Sequence, residues 1–340
     1  MKSNLHPFGT FVRRFLLEEV VADRNLSLNT QHSYRDTIRL LFEFIAEHHA
    51  IDPAKVMTEQ VTAALVRDFL VYLENKRGNS GATRNQRLAA IHSLFRFISC
   101  QAPELVDHVS SIHAIPPRRT GIPTMSYLDK LEIDALLSVP DCGRPQGRRD
   151  YALLLFLYNT GARASEAAGV KVSDLALGIS PSVRLLGKGR KTRICPLWLH
   201  TADVLRELIA THIERPKDAP VFLNVRGQPI TRYGIHTLVA RTVKKAAAKT
   251  PSLQNKRVSP HTLRHTTAVH LLHAGVDINT IRAWLGHVTL ETTNRYAEVD
   301  LEMKASALEA CAVRDSETCL EDRTPIWRKD SKIMEFLMRL

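Results

Sequence analysis

Four polar residues between positions 261 and 296 have types and a spacing suited to phosphate chemistry. His261 and Arg264 are three residues apart, so both side chains can project from one side of a helical turn. His287 follows a glycine, and Tyr296 lies nine positions further along the chain. A guanidinium and two imidazoles brought near a phenol would make a poor hydrophobic core. They could instead hold a phosphate diester and attack it.

Helix signals surround these four residues. A helix is predicted to begin at Ser259, as N-cap, with proline at its first position, and to end at Ala274-Gly275. A second, short helix is predicted over 277–285, ended by the glycine at 286. A third begins near Thr289 and carries the tyrosine. Short turns between these helices would bring the polar groups together.

Two basic positions upstream can be interpreted in purely structural terms. Arg163 follows an apolar stretch, 151–158, that predicts a buried helix ended by Asn159-Thr160-Gly161. Its charge therefore lies at the edge of a core and needs a partner, for which an ion pair with Glu166 would suffice. The basic turn 187–191 joins two predicted strands, and such a turn is usually just solvated. Its glycines lack the spacing of a phosphate-binding P-loop.

In order along the chain, TGARASE at 160–166, GKGRK at 187–191, HTLR at 261–264, LGH at 285–287 and a following tyrosine resemble the motifs of the tyrosine recombinase (phage integrase) family. The resemblance covers most of residues 126–300. It implies a catalytic lysine on the basic turn, where Lys188 is the match and Lys191 the weaker claimant. The implied catalytic residues are Arg163, Lys188, His261, Arg264, His287 and Tyr296.

The resemblance also implies a mechanism. Tyr296 would attack a DNA phosphodiester, form a 3′-phosphotyrosyl link and release a 5′-hydroxyl. Arg163 and Arg264 would clamp the nonbridging oxygens, because a guanidinium can donate paired hydrogen bonds to them. His261 would accept or shuttle the tyrosine proton, and Lys188 would protonate the departing 5′-oxygen. The second histidine of the set would add a donor to the phosphate, and no metal, nucleotide or other cofactor is expected.

Length, charge and cysteine content bound the class of protein. With 340 residues the chain should form two domains, and its net charge of +12 favours a polyanion, nucleic acid first and an anionic membrane surface second. Since no apolar run approaches the roughly 20 residues of a membrane span, a membrane partner is disfavoured. The five scattered cysteines predict reduced thiols rather than disulfides or a zinc site. A cytoplasmic, nucleoid-associated protein is therefore expected.

The predicted fold is mainly α with a small β-sheet, in the α+β class. Residues 1–114 should form a helical domain similar to the family's core-binding domain, which contacts DNA. A basic linker rich in proline follows at 115–125, and a mixed α/β catalytic domain is predicted over 126–312. The tail 313–340 should end in an amphipathic helix that docks either on its own domain or on a neighbouring subunit.

Seven residues are predicted to contact DNA because basic and amide side chains suit phosphates and base edges. Three lie on a helix predicted to begin at the cap Thr83, two in the linker, and two on a helix predicted over 231–248. For any single basic residue of the first helix a solvated surface is the simpler interpretation, and the overall charge favours DNA contact for that helix as a whole. A solvated interdomain segment explains the linker arginines nearly as well. They are Arg84, Asn85, Arg87, Arg118, Arg119, Arg241 and Lys244.

The motif region is also compatible in part with two different kinds of protein. A zinc hydrolase would use the histidines at 261, 265, 270 and 273, but the HExxH arrangement is missing. A helix-turn-helix DNA reader fits the outline, although Ile281, Trp284 and Leu285 indicate a second helix packed inward. The catalytic interpretation assigns His265, His270, His273 and Trp284 to packing or to hydrogen bonds behind the reacting groups.

The sequence therefore predicts a site-specific DNA recombinase or integrase acting in integration, excision or transposition of a mobile element. Because recombination needs four strand cleavages, the resemblance implies a homo- or hetero-tetramer on paired sites in double-stranded DNA, assembled from monomers. A nick-and-reseal enzyme like the type IB topoisomerases uses related chemistry without exchanging partners. A DNA-binding protein with a decayed active site is the alternative from another class.

Overall fold

A computed structural model describes residues 6–121, 125–187, 189, 191–210, 216 and 218–286. The predicted residues Lys188, His287 and Tyr296 and the tail 313–340 lie outside the described residues. The chain divides into two compact units, with the division between residues 123 and 124. Helices dominate both, and the second contains a three-stranded antiparallel sheet, which confirms the predicted mainly α fold with a small β-sheet.

The first unit is a set of helices around one apolar core. The side chains of Phe8, Phe15, Phe69 and Phe95 are completely buried in it. Short 3-10 turns lie at Pro53–Lys55, Thr58–Gln60 and Pro103–Leu105. The helices are α1 (Phe8–Arg14), continued by a π-helical segment (Phe15–Asp23), then α2 (Leu28–His49), α3 (Ala63–Asn75), α4 (Gly81–Gln101) and α5 (Val106–His113).

Helix α4 begins earlier than predicted, so the proposed cap at Thr83 is wrong. Ser80 is the N-cap, and its Oγ accepts a hydrogen bond from the backbone N–H of Thr83 at 3.3 Å. The two hydroxyl oxygens are also 3.1 Å apart, within hydrogen-bonding distance. Either residue type can cap a helix, but only the first one has the extended backbone that a cap requires (φ −65°, ψ 157°).

The second unit contains seven helices and three strands among its described residues. Two 3-10 turns lie at Val172–Asp174 and Pro251–Leu253. The helices are α6 (Lys130–Leu137), α7 (Pro145–Thr160), α8 (Ala164–Ala168), α9 (Leu199–Ala210), α10 (Arg232–Ala246), α11 (Pro260–His273) and α12 (Ile278–Leu285). The strands are β1 (Leu175–Ala176), β2 (Ser182–Leu186) and β3 (Thr192–Pro196).

Helix α7 lies at the centre of this unit. It packs against α9 and α11, and Leu153, Phe156 and Leu157 are completely buried. Burial of such side chains contributes about 1.5–3 kcal/mol each before the entropic cost of folding is counted. As the sequence predicts, the helix ends at Gly161, whose φ of +59° is the left-handed conformation that favours glycine at a helix end.

The sheet places one side of its hairpin against the core. Strand β2 pairs antiparallel with both neighbours, and Leu185 lies opposite Arg193 in β3. Val183, Leu185 and Cys195 are completely buried on the inward side. The two longer strands match the predicted pair, whereas the two-residue strand β1 gives too short a pattern to be predicted.

Other differences are local. Helix α10 begins at 232 rather than at 231. The apolar side chain of Leu131 in α6 is 77 % exposed, because Ile133 and Leu136 occupy the side that faces the core. None of the helices in the described ranges has the length and apolar character needed to cross a membrane.

Candidate active site

Arg163 occupies the turn between two buried helices. It follows Gly161 by two residues and is the N-cap of α8. Its backbone N–H and its Nη1 donate to the two carboxylate oxygens of Glu166 at 2.9 and 2.7 Å. The structural ion pair that the sequence allows is therefore present. Because 36 % of the arginine side chain stays exposed, the guanidinium also remains available to a ligand.

Arg264 lies one helical turn into α11. Ser259 caps this helix, since its Oγ accepts from the N–H of Thr262 at 3.3 Å. The Arg264 side chain is 1 % exposed, and its guanidinium donates to the carbonyl oxygens of Gly161 at 2.7 Å and Leu285 at 2.6 Å. A buried guanidinium needs such acceptors, and these two carbonyls hold it in a fixed orientation.

His261 precedes Arg264 by one turn of α11. Its ring lies 4.2 Å, centroid to centroid, from the ring of His265. Although much of its surface is exposed, its pKa is lowered from 6.5, first by partial desolvation of the ring and then by the positive charges of Arg264 and Arg163. The imidazole is therefore neutral near pH 7, which is the form that can accept a proton.

These three side chains meet at one pocket of about 220 Å³. Two guanidinium groups and a neutral imidazole facing one space suit a phosphate group, which can accept paired hydrogen bonds from each arginine. Three of the six predicted catalytic residues are thus brought together. The remaining lining residues are Ala164, Ser165, Arg232, His236 and Pro260.

Helix α12 ends next to the glycine that precedes His287 in the sequence. Asp277 caps it by accepting from the N–H groups of the second and third helical residues at 2.9 and 3.0 Å. Ile281 and Leu285 are completely buried, as expected of a helix packed inward. It ends at Gly286, where φ is +66°. This packing fixes the chain direction immediately before the histidine.

Two of the residues assigned to packing or hydrogen bonding, His270 and Trp284, form hydrogen bonds behind the pocket. The Nδ1 atom of His270 lies 2.8 Å from the phenol oxygen of Tyr158, and the two rings meet edge to face. Burial is the main reason why the pKa of His270 is lowered. Trp284 packs against the core, and its carbonyl oxygen accepts from the Nε of Arg193 at 2.8 Å. Both residues therefore support the fold behind the pocket.

Arg193 was not predicted as a site residue from the sequence. It donates to both carboxylate oxygens of Glu166, at 3.1 and 2.7 Å, and the two side chains are only 9 % and 3 % exposed. Burial alone would raise the pKa of Glu166, but the hydrogen bonds and charge of Arg193, together with Arg163, lower it, so the carboxylate stays ionised. Strand alternation was the available signal, because it places this arginine on the inward side with Cys195.

Four of the five predicted DNA contacts in the first unit are engaged within the unit. The amide of Asn85 pairs with the backbone of Arg118 in both directions, each hydrogen bond being 2.8 Å. The guanidinium of Arg118 pairs with Glu74 at 2.5 Å, and Arg84 lies 4.0 Å from the same carboxylate. Arg87 donates to the backbone carbonyl of residue 33 and to a threonine hydroxyl. These contacts give all four residues a structural role.

The other three predicted DNA contacts are exposed. Arg119 lies in the linker, and Lys244 lies in the last turn of α10. Arg241, on the same helix, pairs with the buried carboxylate of Asp150 at 2.7 Å while 46 % of its side chain stays exposed. Removing Arg241 would therefore disturb the fold as well as any DNA contact.

Comparisons with known proteins cover both units. The profile of the phage integrase family matches residues 126–303, and that of the phage integrase N-terminal SAM-like domain matches residues 13–101. The putative integrase/recombinase y4rC of Sinorhizobium fredii is 40 % identical over 294 residues, which are 86 % of this chain and 88 % of that protein. Tyrosine recombinase XerC of Pelobacter propionicus is 33 % identical over 298 residues, which are 88 % of this chain and 93 % of the XerC chain.

Solved structures with the same fold are more distant in sequence. A post-cleavage complex of the XerH site-specific recombinase with palindromic difH substrate has a TM-score of 0.67 at 20 % identity, covering 89 % of this chain and 94 % of that one. The Tn1549 transposon integrase in complex with transposon right end DNA has a TM-score of 0.68 at 18 % identity, covering 89 % and 99 %. At these identities the likeness concerns the fold.

Proposed function

Because the chain belongs to the phage integrase family of tyrosine recombinases, we propose that it cuts and rejoins DNA at specific sites through a 3′-phosphotyrosyl link to Tyr296. The single observation that carries this proposal is the pocket where Arg163, His261 and Arg264 converge. Its biological role would be the integration, excision or transposition of a mobile element.

The two arginines would stabilise the transition state. As the tyrosine attacks, negative charge grows on the nonbridging oxygens, and each guanidinium can donate two hydrogen bonds to them. Arg264 is already fixed by the carbonyls of Gly161 and Leu285, so little reorganisation is needed when the phosphate arrives. By analogy with oxyanion-hole donors, each such clamp contributes about 3–4 kcal/mol to lowering the barrier.

Proton transfer would involve a histidine and a lysine. A phenol with a pKa near 10 is a weak nucleophile at neutral pH and needs a proton acceptor, which neutral His261 can supply. Lys188, in the turn between β2 and β3, would protonate the leaving 5′-oxygen, and His287 would donate a further hydrogen bond to the phosphate. No metal or nucleotide is required, because the covalent link conserves the free energy of the phosphodiester.

Double-stranded DNA with specific recombination sites would be the substrate and partner. The net charge of +12 supports a polyanionic partner. Fold neighbours that were solved with DNA, the XerH recombinase and the Tn1549 integrase, support the same proposal. Exposed Arg119 and Lys244 are the simplest candidates for backbone contacts. Complete strand exchange would require four active sites, hence a tetramer assembled on two paired sites.

A covalent-capture experiment tests this function without knowledge of the target site. The protein is incubated with a library of nicked duplexes that carry a random central sequence, and denaturant-stable, protease-sensitive adducts are recovered and sequenced. We expect recurrent duplexes from the wild type and none from Tyr296→Phe. An adduct that persists in Tyr296→Phe would exclude this nucleophile. Adducts without joint products from two recovered duplexes would favour a nick-and-reseal enzyme.

A further inference from the structure

The Glu166 carboxylate accepts four hydrogen bonds from two arginines. Its Oε1 accepts from the Nη1 atoms of Arg163 at 2.7 Å and of Arg193 at 3.1 Å. Its Oε2 accepts from the backbone N–H of Arg163 at 2.9 Å and from the Nη2 of Arg193 at 2.7 Å. Four donors occupy all the lone-pair sites of a carboxylate. Neither oxygen can then rotate away from Arg163 without breaking a bond to Arg193.

The guanidinium of Arg193 also contacts the end of α12. The Nε of Arg193 donates to the carbonyl oxygen of Trp284 at 2.8 Å. At Gly286, a methyl group would lie 3.1 Å from the Cδ and 3.2 Å from the Nη1 of Arg193. The absence of a side chain at Gly286 therefore lets Arg193 approach the backbone closely. Gly286 is followed in the sequence by His287.

Arg193 and Glu166, the buried pair, also lie next to Gly187 at the base of the β2–β3 hairpin. A methyl group built on Gly187 would lie 3.4 Å from the Oε1 of Glu166 and 3.6 Å from the Nη1 of Arg193. The N–H of Gly187 donates to the carbonyl of Lys191 at 2.8 Å, which closes the turn. Lys188 is the next residue of that turn. The buried pair thus lies beside three backbone segments that each contain or adjoin a proposed catalytic residue.

We propose that Arg193 is a positioning residue for strand cleavage, acting through Glu166 to orient the Arg163 guanidinium and through Trp284 to fix the end of α12. The inference rests on the proposed recombinase function and deepens it. Only arginine meets the requirement, because one planar fork must satisfy two carboxylate oxygens while a third N–H reaches the carbonyl of Trp284. A lysine would restore the charge without this geometry.

Two substitutions at this position and one matched control test the inference. Arg193→Lys keeps the charge, and Arg193→Gln removes it. The control is Arg184→Lys, because Arg184 lies on the adjacent strand β2 and also pairs with a carboxylate. Its Nε and Nη2 donate to the Oδ1 of Asp174 at 3.0 and 2.8 Å, but 59 % of its side chain is exposed. The substrate is a nicked duplex recovered by covalent capture. Melting temperature, DNA affinity and the rate of adduct formation at saturating duplex are measured for each protein.

We expect Arg193→Lys to bind the duplex as the wild type does and to form the adduct about 10- to 100-fold more slowly at saturation. This loss is smaller than that of a deleted transition-state donor, because Arg163 is still present but less well oriented. Arg184→Lys should keep the wild-type rate. If Arg193→Gln fails to fold, the lysine variant decides the question. If Arg193→Lys forms the adduct at a rate within about twofold of the wild-type rate, the inference is overturned, because the loss of a positioning contact must slow the reaction by more than that.

A double-mutant cycle separates positioning from general support of the fold. If Arg193 acts through Arg163, adding Arg193→Lys to Arg163→Lys should cost far less than it does in the wild type. Fully additive losses would overturn the inference, since independent defects add. Absence of any adduct from the wild type would instead refute the proposed function, and this inference with it.

Discussion

Arg264 and Gly161 are joined by a hydrogen bond of 2.7 Å from the guanidinium Nη1 to the carbonyl oxygen. Gly161 ends α7 in the left-handed conformation, and Arg163 follows it by two residues. The bond therefore ties one proposed phosphate clamp to the turn that carries the other. Two cationic groups that repel each other are held at a common pocket before a phosphate arrives, which is the preorganisation that electrostatic catalysis requires.

Replacing Arg264 with lysine should impair both stability and chemistry. An ammonium group cannot replace the fork, so the carbonyl of Gly161 or of Leu285 loses its donor at a cost of about 1–3 kcal/mol. Adduct formation should fall about 10²- to 10³-fold. Arg163→Lys is the comparison, because its side chain is 36 % exposed: it should slow the adduct similarly with a smaller loss of melting temperature. Equal losses of melting temperature in the two variants would contradict the structural role given to the Arg264 fork.

Substituting Gly161 with alanine should destabilise the second unit. At φ +59° the added Cβ is strained, and it would lie 2.5 Å from the Cδ2 of Leu285. Strain and overpacking together should cost about 2–4 kcal/mol. Gly178→Ala is the control, since nothing lies within 4 Å of its added Cβ. Urea denaturation of both variants measures the difference, and similar midpoints would show that the turn relaxes freely.

The rate of adduct formation should have an acid limb set by His261. A proton acceptor works only when neutral, and the pKa of this histidine lies below its ordinary 6.5. The rate should therefore stay level as the pH falls through 6.5 and decrease only under more acidic conditions. His261→Gln should remove the limb, and His273→Gln, at the other end of α11, should leave it in place. A limb centred above 6.5 that survives His261→Gln would assign the proton transfer to another group.

Stability at acid pH should depend on the buried carboxylate of Glu132, which does not line the pocket. Glu132 is 1 % exposed and accepts from the Nζ of Lys256 and the Oγ of Ser252, each at 2.7 Å. Burial would raise its pKa, but these hydrogen bonds outweigh burial and lower it below 4.5. A depressed pKa in the folded state means that this contribution is present above pH 4.5 and is lost as the pH falls through the folded value.

Lys256→Met should remove about 2 kcal/mol of stability at pH 7, because the buried carboxylate then keeps its charge without its cation. The loss should shrink towards pH 5, where protonation of Glu132 becomes easier. Adding Glu132→Gln should recover part of the stability at pH 7. Thermal denaturation at several pH values measures all three effects. A loss that stays constant with pH would show that the lysine acts through packing.

DNA affinity should report on Lys244 through its salt dependence. If this exposed lysine contacts a phosphate, Lys244→Gln should reduce the slope of log K against log salt concentration by about 1. The melting temperature of Lys244→Gln should equal that of the wild type. Lys171→Gln, a surface lysine 3.4 Å from Asp218, is the control and should keep the wild-type slope. An unchanged slope for Lys244→Gln would place that residue outside the DNA interface.

Local pattern was enough to predict most of the elements but not all of their boundaries. The periodicity of α7 and the glycine that ends it depend on neighbouring residues, so both are visible in the sequence. The start of α4 was misplaced because Ser80 and Thr83 are chemically equivalent caps, and only backbone conformation distinguishes them. The exposure of Leu131 depends on which side of α6 meets the core, and that is a property of the whole unit.

The sequence by itself determined the order and the chemical types of the site residues, and with them the family. The tertiary structure alone decided that Arg163, His261 and Arg264 share one pocket and that Arg193 and Glu166 form the buried pair behind it. These partners are brought together by the packing of helices and strands that lie far apart in the chain. Sequence patterns show which face of a helix or strand is apolar. The partner of a buried charge depends instead on the elements that pack against that face.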